Sequence, residues 1–255
     1  MNLGIIGCGA IGTDVALAAD KMKAVKKIYL FDKNIDAVKK LHKLIEKSEI
    51  KKVEDFLDDV NVVYEAASQK AVIEYGSKVL SAKKDLVIMS IGSLFDNKLR
   101  NDFKKLAVKN NCKIYLPSGA VCGIDGLYAA NVDEIDEVTL VTTKPPNSLG
   151  KQYDKRTVIF RGTAREAVKQ FPANINVAGC LSLAGNGFDK TRVEIVADPV
   201  TNRINHKILA HGRFGRLRAE MENMPNPKNP KSSYMASLSA IAVLRKIIEP
   251  IQIGI

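Results

Sequence analysis

Leu3-Gly4-Ile5-Ile6-Gly7-Cys8-Gly9-Ala10-Ile11-Gly12 settles the first half of the fold. Leu3 to Ile6 is a short apolar run ending at Gly7, the mark of a buried parallel strand. From Ala10 the apolar positions Ile11, Val15, Ala18 and Met22 recur at intervals of four, three and four, the spacing of one helix face. Between them Gly7, Gly9 and Gly12 make the pattern GxGxxG, which is weak alone. Here it joins a strand to a helix, and Asp32 follows twenty residues after Gly12, at the end of the next apolar run, Ile28 to Phe31. That context points to a dinucleotide-binding βαβ unit.

Each glycine has a separate reason to be there. Gly7 permits the tight turn, Gly9 lets backbone approach a pyrophosphate, and Gly12 lets helix pack close to strand. Ala10 and Ile11 stand at the helix start, where free N–H groups and the positive dipole end favour phosphate. Asp32 suits the adenosine ribose 2′-hydroxyl and therefore NAD, since a 2′-phosphate would meet its charge. Lys33 beside it can offset that repulsion, which leaves NADP acceptance open. The bland alternatives are a glycine turn without ligand and a solvated strand-end carboxylate. Cys8 reads as a small turn residue facing the cofactor.

Ile35, Val38, Leu41 and Leu44 mark another helix, as do the residues near Ala71 to Leu80. Val60 to Tyr64, Leu86 to Met89 and Ile114 to Leu116 are further buried-type strands. Strands alternating with amphipathic helices over this half predict a doubly wound parallel sheet, a Rossmann α/β domain. The pattern then changes. Val138 to Thr143, Thr157 to Phe160, Arg192 to Ala197, His206 to Leu209 and Arg216 to Glu220 read as strands, several with alternating polarity, which predicts a sheet with one covered face. A helix over Asn176 to Leu183 interrupts them. Asn223 to Pro230 reads as a Pro/Asn loop. Ser232 or Ser233 can then cap a last helix with Met235, Leu238, Ile241, Leu244 and Ile248 on its apolar face. The expected domains are 1–120 with 232–255, for the dinucleotide, and 121–231, an α+β mixed-sheet domain for substrate and dimerisation.

Composition narrows the class. No apolar run approaches the roughly 18 residues that span a bilayer, and the opening residues lack the basic region of a signal peptide. Cys8, Cys112, Cys122 and Cys180 lie far apart, which argues for a reducing cytoplasm and against a structural zinc site. The formal charge of +11 would attract anions or nucleic acid, but the chain has no Trp and no long block of like charge. A lysine-rich solvated surface explains the charge equally.

Ligands in open α/β sheets lie beyond the carboxyl ends of the strands. Two such ends carry small residues: Ser90-Ile91-Gly92-Ser93 and Pro117-Ser118-Gly119-Ala120-Val121-Cys122-Gly123. The second reads equally as a plain interdomain turn. Three histidines are available for acid–base work. His42 falls in a lysine-rich helix and reads as surface. His206 and His211 flank a strand in NRINHKILAHG, where either reads as a candidate base or as a structural side chain.

The motifs GIIGCGAIG, EAASQKAV, MSIGSL, LPSGAVCGIDGL, TKPP, FRGTAREAVKQFPANINVA, DPVTNRINH and ENMPNPKNPKSSYMASLSAIA run along essentially the whole chain. In them the sequence resembles the L-aspartate dehydrogenase family of archaea and bacteria. The resemblance implies NAD(P)-dependent oxidation of L-aspartate to iminoaspartate, then oxaloacetate and ammonia, with the imine able to feed NAD biosynthesis. It implies a homodimer built on the C-terminal sheet, while the composition argues against a nucleic-acid or membrane partner. It places the catalytic histidine at His206 in NRINH, and contacts near the nicotinamide at Ala120 in SGAVCG and Asn176 in FPANINVA. His211 lies outside the matched motif and reads as structural. Lys144, Arg161, Arg165, Asn174 and Lys231 are candidates for the substrate carboxylates. The competing expectations are a related reductase of another small acid or cyclic imine, and a dinucleotide-sensing regulator that binds nucleic acid.

Overall fold

The computed structural model describes residues 1–150, 152–171 and 175–254. The chain divides into two compact units, Met1–Pro117 with Ser237–Ile251, and Ser118–Ala236 with the residues from Gln252 onward.

The first unit runs β1 (Asn2–Ile6), α1 (Ala10–Asp20), β2 (Lys27–Phe31), α2 (Ile35–His42), β3 (Ser48–Ile50), α3 (Val53–Phe56), β4 (Val62–Glu65), α4 (Gln69–Ser81), β5 (Asp85–Ile88), α5 (Asn97–Asn110) and β6 (Ile114–Tyr115). Among the described residues its sheet is parallel, in the order β3-β2-β1-β4-β5-β6. The order reverses between β1 and β4, so the carboxyl ends of these two strands flank a crevice. Leu3, Ile5, Leu30 and Tyr64 are fully buried there, as their unbroken apolar runs require. Three elements carry too little pattern to be read from sequence. Strand β3 has one apolar residue, and α3 is a single turn. Helix α5 buries only Phe103 and Ala107, and rests instead on its Asp96 cap, which accepts from the N–H groups of Lys98 and Leu99.

The second unit runs α6 (Ile124–Ala130), β7 (Ile135–Lys144), β8 (Thr157–Thr163), α7 (Ala164–Gln170), α8 (Asn176–Ala184), β9 (Arg192–Ala197), β10 (Ile204–Gly212), β11 (Gly215–Asn223), β12 (Pro225–Asn226) and β13 (Asn229–Ser233). Its main sheet has the order β11-β10-β7-β9-β8 and is mixed: β7 and β9 are parallel, the other pairs antiparallel. Along β7 and β10 buried residues alternate with half-exposed ones, so one face is covered, as the polarity pattern predicts. Helix α7 starts on a capping box formed by Thr163 and Glu166, and neither the box nor the helix figured in the sequence reading.

The Pro/Asn stretch corrects the expectation of a loop. Pro225 pairs with Ser233 and Asn226 with Asn229 in a small antiparallel hairpin. Asn226 Oδ1 accepts from the N–H of Lys228, closing the turn that the Pro-rich composition concealed.

The last helix, α9 (Tyr234–Ile248), places Ala240 and Leu244 in the core of the first unit. Its buried face is rotated from the expected one. Ser237, Ala240 and Leu244 are buried, whereas Leu238 is 38% exposed. Small residues let the helix approach closely enough for the Tyr64 hydroxyl to donate to the Ala240 carbonyl at 3.2 Å. Large-residue periodicity does not register a stripe of small residues.

Candidate active site

In the first unit the glycines form a cradle. Gly7 has φ +104, and a Cβ there would stand 2.6 Å from the backbone of Ala66. A Cβ on Gly12 would lie 1.8 Å from the Gly7 carbonyl oxygen, so the helix approaches the turn only without a side chain. Gly9 differs: it is the N-cap of α1, no side chain caps the helix, and a Cβ on it would meet nothing within 4 Å. The open space beside uncapped N–H groups of Ala10, Ile11 and Gly12 suits a pyrophosphate.

Asp32 is bound to this cradle. Its Oδ2 accepts from the N–H of Cys8 at 2.7 Å and its Oδ1 from the N–H of Asn34 at 2.8 Å. A carboxylate keeps further acceptor positions after two such bonds, enough for ribose hydroxyls. Lys33 is directed elsewhere, to Glu74 at 2.8 Å. Burial, then the Asp32 charge, pushes the Cys8 thiol up to about 12, so Cys8 is an inert turn residue.

Glu65, at the end of β4, was missed by sequence reasoning. It is 1% exposed. Its Oε1 accepts from the N–H groups of Ala67 and Ser68, both 2.8 Å, and from the Ser90 hydroxyl at 2.9 Å; its Oε2 accepts from the Ser90 N–H at 3.0 Å. One carboxylate thus joins the loops that follow β4 and β5. Burial raises its proton affinity, and all four donors oppose that rise. A glutamate closing an apolar strand was the available signal.

The second unit holds a buried polar row on the covered face of its sheet. His206 on β10 lies directly opposite Thr142 on β7, with Nδ1 and Oγ1 2.9 Å apart. Burial first, and the nearby Lys144 charge second, hold the imidazole down to about 3, so it is neutral at pH 7. Lys144 stands two residues beyond Thr142 on the same face. It is 5% exposed, and burial lowers its ammonium to about 8. Thr142 and Lys144 line a recess walled otherwise by Leu140, Leu149, Phe171, Ile175, Val193 and Ile195. Asn176, half-buried, follows Ile175 and opens α8. Ala120 is buried in this same unit, and its carbonyl accepts from Asn223 Nδ2 at 2.9 Å. Asn223, from the ENMPNPKNP motif, therefore holds the SGAVCG loop, a role that sequence reasoning did not assign.

Other candidates lie apart from this row. Arg161 pairs with Glu194 at 2.7 Å and Arg165 with Asp189 through two nitrogens. Asn174 and the side chain of Lys231 lie outside the described residues. His211 sits on the exposed side between Asp136 and Glu137, and His42 is exposed beside Ser48.

Strand order and cradle place the chain among the Rossmann-type dinucleotide-binding proteins, a class with many chemistries. Residues 7–117 match the family described as homoserine dehydrogenase, NAD binding domain, and residues 125–247 the family described as aspartate dehydrogenase, C-terminal. The L-aspartate dehydrogenase of Methanosarcina barkeri is 44% identical over 269 residues, covering 100% of this chain and 99% of its own. That of Methanothermobacter thermautotrophicus is 42% identical over 255 residues, covering 100% and 98%. The crystal structure of aspartate dehydrogenase from Thermotoga maritima superposes with a TM-score of 0.84 at 31% identity, covering 100% of this chain and 99% of that one. The chain belongs to the L-aspartate dehydrogenase family.

Proposed function

We infer that this chain is an NAD-dependent oxidoreductase acting on the CH–NH2 group of L-aspartate. The net reaction is L-aspartate, NAD+ and water to oxaloacetate, ammonium, NADH and a proton, through iminoaspartate. The observation that carries it is the neutral, buried His206 tied to Thr142 within the matched C-terminal region.

When bound, the oxidised nicotinamide supplies the hydride acceptor. Gly7, Gly9, Ala10, Ile11, Gly12 and Asp32 hold the dinucleotide, and Ala120 and Asn176 serve its nicotinamide end. The protein must then manage protons. The substrate ammonium has to lose one before its lone pair can form the C=N bond as the Cα hydride departs. Thr142 engages His206 at Nδ1, which leaves Nε2 for this proton. Once that proton has passed to solvent, as the proton of the net reaction, the same nitrogen can take one from the water that attacks the imine and return it to the departing nitrogen.

Several finer expectations belong to the same reading. NAD is preferred over NADP, supported by Asp32 at the glycine loop and by Lys33 pairing with Glu74 instead. The protein works as a homodimer, supported by the second face of the five-stranded sheet, where Thr139, Val141 and Leu209 are only half-buried. It works in the cytoplasm, supported by four free cysteines. Its imine product supplies NAD biosynthesis.

The test is NADH formation from L-aspartate and NAD, run beside His206→Ala. The parent turns over, and the variant loses ~10²-fold or more in kcat/KM, the scale of acid–base catalysis. No turnover in the parent overturns the function; an unchanged kcat/KM in the variant overturns the role of His206.

A further inference from the structure

The proposed dinucleotide contacts run along one edge of the first sheet. Asp32 follows β2 and the glycine turn follows β1; in the strand order β2-β1-β4-β5 the next two carboxyl ends are those of β4 and β5. Neighbouring strands lie about 4.8 Å apart, so both ends are within about 10 Å of β1, the reach of a ribose and its ring beyond a pyrophosphate. What fixes the loops after β4 and β5 therefore fixes the surface available to that half of the cofactor.

Backbone bonds hold the start of each loop. The Ala66 N–H donates to the Ile6 carbonyl at 2.8 Å, and the Met89 N–H to the Glu65 carbonyl at 3.0 Å. Beyond these the Glu65 side chain takes over. Ala67 and Ser68 are exposed, and both their N–H groups turn inward to Glu65 Oε1. Ser90 is buried and reaches the same carboxylate through its hydroxyl and its N–H. Each anchor is fixed further along the chain. Ser68 caps α4, accepting from the Ala71 N–H, and the Ser90 carbonyl accepts the Ser93 hydroxyl at 2.8 Å. The carboxylate is fully engaged within the chain, so its use lies in the join it makes.

Resting on the proposed function, we propose that Glu65 is a positioning residue for the nicotinamide riboside half of the dinucleotide, holding the exposed Ala66–Ser68 segment to the buried Ser90. The pyrophosphate turn does not depend on this join. A Cβ on Gly7 would meet Ala66, and Ala66 is held by backbone to Ile6 whatever stands at 65.

Glu65→Gln tests the join at constant volume. All four partners of the carboxylate are donors, so the new NH2 faces a donor in either orientation of the amide. The experiment compares the parent, Glu65→Gln and Ser90→Ala in NADH and ADP affinity by calorimetry, in NADH fluorescence and in kcat. ADP carries the adenosine and pyrophosphate without the riboside. Glu65→Gln is expected to bind NADH at least about tenfold more weakly, the scale of one broken hydrogen bond to a charged group. Its bound NADH should fluoresce more like free NADH, and kcat should fall by about tenfold or more, because a misplaced ring is a misplaced hydride acceptor. ADP affinity should stay within about threefold, since the glycine turn is undisturbed. Ser90→Ala, which keeps the N–H bond, should move NADH in the same direction by about threefold. NADH affinity unchanged in Glu65→Gln, or NADH and ADP weakened equally, overturns the proposal; the second result shows a residue that only supports the fold. If Glu65→Gln does not fold, Ser90→Ala decides, and an unchanged ratio of NADH to ADP affinity overturns it. A parent that binds no NADH overturns the cofactor reading itself.

Discussion

Thr142 Oγ1 lies 2.9 Å from Nδ1 of His206, with the two residues directly opposed on β7 and β10 and both 5% exposed. A buried imidazole with one nitrogen engaged has only the other for chemistry, and the hydroxyl fixes which. Thr142→Val keeps the shape and removes the partner. It is expected to lower kcat roughly tenfold, the scale of one unsatisfied buried hydrogen bond. KM for L-aspartate and NAD affinity should change little, and Thr142→Ser should restore most of kcat. Steady-state kinetics of the two variants check this; a loss confined to KM would contradict it.

Gly9 and Gly12 should fail in opposite ways when each is changed to Ala. At Gly12 the new Cβ would stand 1.8 Å from a backbone oxygen, so the helix start must shift. A destabilisation of about 3 kcal/mol is expected, visible in denaturant unfolding. At Gly9 the Cβ meets nothing in the protein, and the backbone is extended at φ −72. Gly9→Ala should fold normally and bind NAD at least about tenfold more weakly, because the methyl occupies the pyrophosphate approach.

Asp32 accepts from both Cys8 and Asn34, so it shapes the loop in addition to the ribose contact proposed for it. Asp32→Ala is expected to weaken NAD binding more than NADP binding, because only the 2′-hydroxyl loses an acceptor while the 2′-phosphate loses a repulsion. Calorimetric titration with both dinucleotides decides it. Equal weakening would mean that the carboxylate serves the loop alone.

The buried pair His206 and Lys144 should shape stability against pH in two windows. His206 is held at about 3 against an ordinary 6.5, so the unfolded chain binds the extra proton. Its contribution is present above 6.5 and is lost as pH falls towards 3. Lys144 is held at about 8 against 10.5, and again the unfolded chain binds more protons in between. Stability from this group therefore rises between pH 8 and 10.5, by up to ~3 kcal/mol. Denaturant unfolding of Lys144→Met should lack that rise. Imidazole nitrogen shifts followed by NMR should show His206 in the same variant titrating above about 3.

The Rossmann half was legible because its signals are local. Leu3 to Gly12 contains strand, turn and helix start in ten residues, and Asp32 lies at a fixed reach from them. Its gaps are equally physical: α5 has a cap but scarcely an apolar face, and α9 packs through Ser237 and Ala240, which hydrophobic periodicity does not weigh. In the second unit β9 was visible over its full length and β7, β8, β10 and β11 in part, while the hairpin at Pro225 was hidden by proline and asparagine. Glu65 and Asn223 escaped notice because their work is to accept from, or donate to, backbone distant in sequence.

By itself the sequence determined the class of each half and the glycine cradle with its acidic partner, and it singled out His206 as a candidate through its motif. These rest on short-range spacing and residue type, which chain neighbours fix. The tertiary structure alone decided that His206 faces Thr142, that Lys144 shares its buried face, and that Arg161 and Arg165 do not. Residues 142 and 206 meet only because β7 and β10 pair in one register, and a shift of one residue would turn either side chain to the opposite face.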